Sequence, residues 1–146
     1  MNILDQKAPG LSKQLSILSS DQRRRVVAKV CKIVSESVSE LEPRLKALIQ
    51  LAADTNVLST DQVKELRLYA ENADKRYFSL QEEGVDKRVW KIWFAKARLA
   101  TALADGFVSE DWEATAQAVY ETCFIEDTEE SAINLVRLEI ERLNTR

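Results

Sequence analysis

The chain has 146 residues, with 21 Lys and Arg against 24 Asp and Glu, and it contains no histidine. One domain of that length buries enough surface to hold together without disulfides or metals. Without histidine there is no Ser-His-Asp or Cys-His nucleophile and no imidazole ligand, and the isolated glycines Gly10, Gly84 and Gly106 form no phosphate-cradling loop.

Gly and Pro are scarce while Ala, Leu, Glu, Lys, Arg and Gln are plentiful, a composition that favours helix over strand. A short helix is expected over residues 11–18. The second helix is expected over 20–41, with Val27, Val30, Val34, Val38 and Leu41 on one face and Pro43 as its stop. Pro43 also suits a first turn, so a third helix over 43–54 follows, lined by Leu45, Leu48, Ile49 and Ala52. The fourth, over 60–83, carries Val63, Leu66, Ala70, Ala73, Tyr77 and Leu80 at spacings of three and four. Gly84 supplies its left-handed stop.

The pentapeptide Leu18-Ser19-Ser20-Asp21-Gln22 returns as Leu58-Ser59-Thr60-Asp61-Gln62. No third copy follows at that spacing. Both copies fit a capping box, in which a hydroxyl and a Gln side chain satisfy the exposed amides of a helix start.

A fifth helix, over 86–105, is apolar around most of its circumference. Val89, Trp90, Trp93, Ala97, Ala100 and Ala104 form one side, and Ile92, Ala95, Leu99 and Leu103 a second. Such a helix belongs in the middle of a bundle, with Trp90, Trp93 and Phe94 as core and Gly106 as the stop. Ser109 is placed to cap a sixth helix over 110–124, with Trp112, Ala116, Val119, Tyr120 and Cys123 inward and Glu110, Glu113, Gln117 and Glu121 outward. Asp127 or Thr128 caps a seventh over 129–144, packed through Ile133, Val136, Ile140 and Leu143. The expectation is an all-α, single-domain bundle, or short hairpin stack, of six to seven helices spanning residues 1–146.

Cys31 and Cys123 fall on apolar faces and are expected as buried thiols of a reducing compartment. MNILDQKAPG lacks the pattern of a secretory signal, and the longest apolar run, Ile92-Trp93-Phe94-Ala95, cannot span a bilayer. A cytoplasmic protein without membrane contact is expected. Arg23-Arg24-Arg25 is too short for a nucleic-acid patch on an acidic protein and reads as a solvated face, and no metal or cofactor pattern is present.

Charge is uneven along the chain. Residues 1–50 carry nine Lys and Arg against five Asp and Glu, residues 101–146 three against eleven, and nothing basic lies between Arg98 and Arg137. Helix-start carboxylates offset the dipole and account for Asp111, Asp127, Glu129 and Glu130, but not for Glu121. The run is either a solvated face or a docking surface for a basic protein, which acids would steer into contact.

Two further segments carry a resemblance. One is the helix end Ser35-Glu36-Ser37-Val38-Ser39-Glu40-Leu41 with Pro43-Arg44-Leu45-Lys46-Ala47-Leu48, and the other is the ladder from Phe94 to Ala104. Together they resemble helical immunity proteins of bacterial polymorphic-toxin and contact-dependent inhibition systems, over about half of the chain. Some members carry a His after the ladder, where this chain reads Ala104-Asp105-Gly106. The resemblance implies a non-enzymatic inhibitor that binds a cognate toxin, frequently a nuclease with a basic cleft. The expected docking surface comprises Asp105, Glu110, Glu113, Glu121, Glu126, Asp127, Glu129 and Glu130. Phe107 is a candidate apolar anchor, and Trp112 either an anchor or core. The alternative is a non-enzymatic helical adaptor.

Overall fold

The computed structural model describes residues 8–123, 125 and 129–144, with the side chains of 129–131 left aside. Among these residues seven helices form an all-α bundle and no strand occurs. They are α1 (Leu11–Ile17), α2 (Ser20–Ser35), α3 (Pro43–Thr55), α4 (Thr60–Glu82), α5 (Lys87–Val108), α6 (Trp112–Thr122) and α7 (Glu129–Asn144). No described helix is long and apolar enough to cross a membrane.

Local chemistry sets most helix ends as the sequence predicts. The Ser19 and Ser59 hydroxyls each accept a hydrogen bond from the backbone N–H three residues on, at 3.1 Å, while the Gln22 and Gln62 side-chain oxygens accept one from the cap backbone N–H. Each such cap contributes about 1 kcal/mol. Pro43 occupies the first turn of α3. At the end of α4, Gly84 N–H donates to Gln81 O and Val85 N–H to Leu80 O, both at 3.1 Å, around a glycine at φ 72°. That pairing is the Schellman arrangement, for which a residue without Cβ is best suited.

Three ends differ from expectation. α2 stops at Ser35 rather than continuing to Leu41. Ser35 and Ser37 hydroxyls donate to the carbonyls of Lys32 at 2.6 Å and Val34 at 2.8 Å, which favours release of the backbone from the helix. α6 starts at Trp112, with Asp111 at its cap position, and Ser109 Oγ instead accepts from Asp111 N–H at 3.1 Å. α5 runs through Gly106 to Val108. Gly106 is a contact point: a Cβ there would lie 2.5 Å from Val27 Cγ1 and 3.0 Å from Val27 Cβ. Its missing side chain lets α5 and α2 cross closely. The expected caps Asp127 and Thr128 lie outside the described residues.

Two apolar clusters share one wall. Val27, Ala28 and Cys31 of α2 face α3, α4 and the second half of α5, through Leu45, Ile49, Leu66, Leu99 and Leu103. Val26, Val30 and Val34 face α1, α6 and α7, through Leu11, Leu15, Val119, Val136 and Ile140. α2 is therefore the central helix. α5 shares the centre only from Lys96 onward, because none of residues 87–95 is buried. That half projects with α4 as a hairpin, and Trp90, Trp93 and Phe94 are half-buried on it rather than core. Tyr77 gathers two of these rings, with centroids 5.4 Å from Trp90 and 5.2 Å from Phe94, and its neighbour Phe78 at 4.8 Å. Cys31 and Cys123 are buried free thiols, and burial pushes the Cys31 thiol up to about 12, so it stays protonated at neutral pH.

Candidate docking surface

The acid-rich segment does not form a single rim. Asp105 and Glu121 turn inward, each toward an arginine from another helix. Arg67 of α4 meets Asp105 at 2.6 Å. Arg98 of α5 meets Glu121 at 2.9 Å and also Asp74, at 2.9 and 3.0 Å. Gln117 donates to the other Glu121 oxygen at 3.0 Å. Arg98 further lies over the Phe94 ring, 5.6 Å from its centroid. Glu121 is thus a buried strut joining α6 to the α4–α5 hairpin. The absence of Lys on that face of α6 reflects a cation supplied from α5. Phe107 is buried in the cluster around α2 and α5, so it is core and not an anchor.

Glu110 and Glu113 stay outside. The Glu110 side chain is 78% exposed, and Arg24 approaches it only to 4.0 Å. Glu113 is exposed on the first turn of α6. Asp111 joins them: it is exposed, and its side chain makes no cap hydrogen bond. Trp112 is half-buried against the cluster of α1, α6 and α7, and so combines packing with a partly open face. Val108 is exposed just before these acids, an apolar neighbour that the sequence did not mark. Glu126 and Asp127 lie outside the described residues, and Glu129 and Glu130 open α7.

Arg23 fixes this edge from below. Its guanidinium donates to Leu18 O at the end of α1 and to Glu110 O at 2.6 Å, and reaches Leu15 O at 3.5 Å. One side chain therefore ties the loop before α6 to the end of α1. The Arg23-Arg24-Arg25 run is a structural clamp at its first position rather than a solvated face. A cap is a local pattern and is visible in sequence, whereas a guanidinium bridging residues 18 and 110 is not.

A second polar cluster, with no local signature in the sequence, lies between α3 and the hairpin. Lys96, only 3% exposed, donates to Glu42 Oε1 at 2.9 Å, and the Tyr69 hydroxyl donates to Glu42 Oε2. The Trp93 ring covers the ammonium at 4.2 Å from its centroid. Burial pushes the Glu42 carboxyl up, but hydrogen bonds from Tyr69 and Lys96 together outweigh it and hold the group below the ordinary carboxylate value. Burial and the Glu42 carboxylate push the Tyr69 hydroxyl up. With the paired hydrogen bonds from Arg44 to Glu65, at 2.6 and 2.8 Å, this cluster fastens the start of α3 to the hairpin.

Two open clefts flank α2. One, of about 400 Å³, is lined by Arg25, Lys29, Asp54, Glu139 and Arg142, and the other, of about 650 Å³, by Lys32, Glu36, Lys46 and Gln50 over Val38 and Ile49. Their polar groups are surface cations and acids apart from the buried Glu139, which pairs with Arg142 at 3.6 Å, and the Ser35 hydroxyl at the second, which is bonded to a backbone carbonyl. Among the described residues no cluster of Cys, Asp and Glu could hold a metal ion.

Comparison with protein-family models, with curated proteins and with solved structures gives no match to this chain.

Proposed function

We propose that this protein is an immunity protein that binds and neutralises a basic protein partner, a cognate toxin with a nuclease-type cleft. The observation that supports this reading is the exposed edge of Glu110, Asp111 and Glu113 before and within the first turn of α6. Three carboxylates within four positions, flanked by exposed Val108 and half-buried Trp112, give an apolar patch with an acidic margin. Such a margin accelerates encounter with a basic surface, and the apolar contact slows release. The edge is smaller than the sequence suggested, because Asp105, Phe107 and Glu121 serve the interior. A rigid platform beneath it, clamped by Arg23, suits binding with little reorganisation.

The test uses the product of the reading frame directly upstream as the binding partner. Wild-type protein should form a complex with it and suppress its toxicity on co-expression. The Glu110→Lys/Glu113→Lys variant should bind at least tenfold more weakly, mainly through a slower and less salt-sensitive association rate, with unchanged thermal unfolding. Equal affinity would remove this edge as the docking surface, and absence of any complex would remove the immunity reading. The alternative, a helical adaptor, is favoured by one observation: the projecting α4–α5 hairpin exposes Leu68, Phe78 and Val89.

A further inference from the structure

The outer face of α4 has a pattern of its own. Lys64, Leu68, Glu71, Lys75, Phe78 and Glu82 follow one another at spacings of four and three, and all six are exposed. This stripe lies opposite the seam of Val63, Leu66, Ala70, Ala73 and Leu80 that packs on α5. Leu68 is 59% and Phe78 57% exposed, two of the largest apolar groups in contact with solvent on the molecule. The Phe78 ring is already braced against Tyr77 at 4.8 Å. None of Lys64, Glu71, Lys75 and Glu82 forms an ion pair with a described residue, whereas Arg67 and Asp74, to one side of the stripe, are both committed to partners.

The stripe is complementary to itself when reversed. Set antiparallel about residue 73, Lys64 meets Glu82 of a second copy, Leu68 meets Phe78, and Glu71 meets Lys75, with the same three pairs repeated on the other side of the axis. A parallel pairing would set Lys64 on Lys64 and Glu71 on Glu71. Sliding the antiparallel pair by one heptad in one direction sets Lys64 on Lys75, and in the other Glu71 on Glu82. The charges therefore select one orientation and one register, as they do in coiled coils.

We propose that α4 is a homodimerisation helix, pairing antiparallel with α4 of a second copy of this chain about a two-fold axis that crosses the exposed stripe between Glu71 and Lys75. The contact runs for about 27 Å, the eighteen rises of 1.5 Å from Lys64 to Glu82. Four large apolar groups and four unlike-charge pairs form it. An interface of that size is reversible and concentration-dependent. It leaves the acidic edge at α6 untouched, so each copy of the dimer keeps its own docking surface. The inference stands whether or not the partner is a toxin.

Sedimentation equilibrium of the full chain, from about 1 µM to 1 mM at low salt, reads the proposal directly. Wild type should pass from monomer to dimer within that range. Phe78→Asp should remain monomeric with unchanged far-UV circular dichroism, since the side chain is exposed. Glu71→Lys and Lys75→Glu should each weaken association at least tenfold, because one substitution creates two like-charge contacts across the axis. The double exchange, Glu71→Lys with Lys75→Glu, should return the dissociation constant to within about threefold of wild type. A wild type that stays monomeric at the highest concentration overturns the proposal. A double exchange as weak as the single variants overturns it equally.

Discussion

Gly106→Ala isolates the contact between α5 and α2. A methyl at residue 106 would sit 2.5 Å from Val27 Cγ1 and 3.0 Å from both Cβ and Cγ2. Carbon atoms prefer about 3.5–4.0 Å, so the deficit is on the order of 1 Å. Val27 cannot rotate aside, because a β-branched side chain in a helix holds one χ1 well. The helices must part instead, through a region where Val27, Phe107 and Leu103 are all buried. Overpacking of this kind costs about 1–3 kcal/mol, and replacing Gly by Ala within a helix returns up to about 1 kcal/mol. The net loss should be about 1–2 kcal/mol, a fall in Tm of roughly 3–7 °C. Urea unfolding followed by circular dichroism measures it. The decisive variant is Val27→Ala/Gly106→Ala. Val27→Ala alone removes apolar contacts and should cost about 2 kcal/mol. In the double variant the new methyl occupies the vacated space, so its stability should exceed the additive value by about 1 kcal/mol or more. A helix-stopping glycine at positive φ would also resist Ala, but without coupling to Val27. Additive effects, or a Gly106→Ala protein as stable as wild type, would refute the close-crossing argument.

Glu121→Lys should destabilise by about 3 kcal/mol, at the lower end for a buried pair because Asp74 still partners Arg98, and Glu121→Gln by less, since it keeps a hydrogen bond to Arg98. The same denaturant series reads both variants, and a Glu121→Lys protein with unchanged midpoint would return that carboxylate to the surface. Acid sensitivity should trace partly to Glu42. Its folded carboxyl is held below the ordinary value of 4.5, so the unfolded chain takes up the proton first. The contribution is complete above that value and is lost as pH falls through the folded one. Glu65 and Asp86 are shifted in the same direction. Glu42→Gln should therefore flatten, without abolishing, the decline of stability between about pH 5 and pH 3; an unchanged slope would count against the Lys96 and Tyr69 hydrogen bonds.

What the sequence disclosed was local or periodic. Ser19 with Gln22 and Ser59 with Gln62 cap within four residues of themselves, so their pattern is complete on the chain. The seams of α3, α4 and α7 follow from spacing because each of those helices buries one face. The remainder depended on residues far apart. Glu121 looks solvated until Arg98 is placed beside it, twenty-three positions away in sequence. Lys96 breaks an apolar pattern and looks like its polar edge, yet Glu42 and Trp93 enclose it. Gly106 resembles a stop because Gly84 is one, and only the position of Val27 separates the two roles. The aromatic half of α5 invited a place in the core, but composition does not reveal that α4 and α5 outrun the helices beside them. The stripe from Lys64 to Glu82 was present in the spacing all along; its meaning needed the knowledge that nothing of the same molecule lies extensively against it.

The placement of α2 bears on how the molecule comes apart. Val26, Val30 and Val34 complete one lining while Val27, Ala28 and Cys31 complete the other. Neither half retains a closed interior once this helix has left it, so the melting of either exposes the other to water. A protein with two linings and one party wall behaves as a single cooperative unit: its chain cannot be divided between α2 and α4 without both pieces losing their fold.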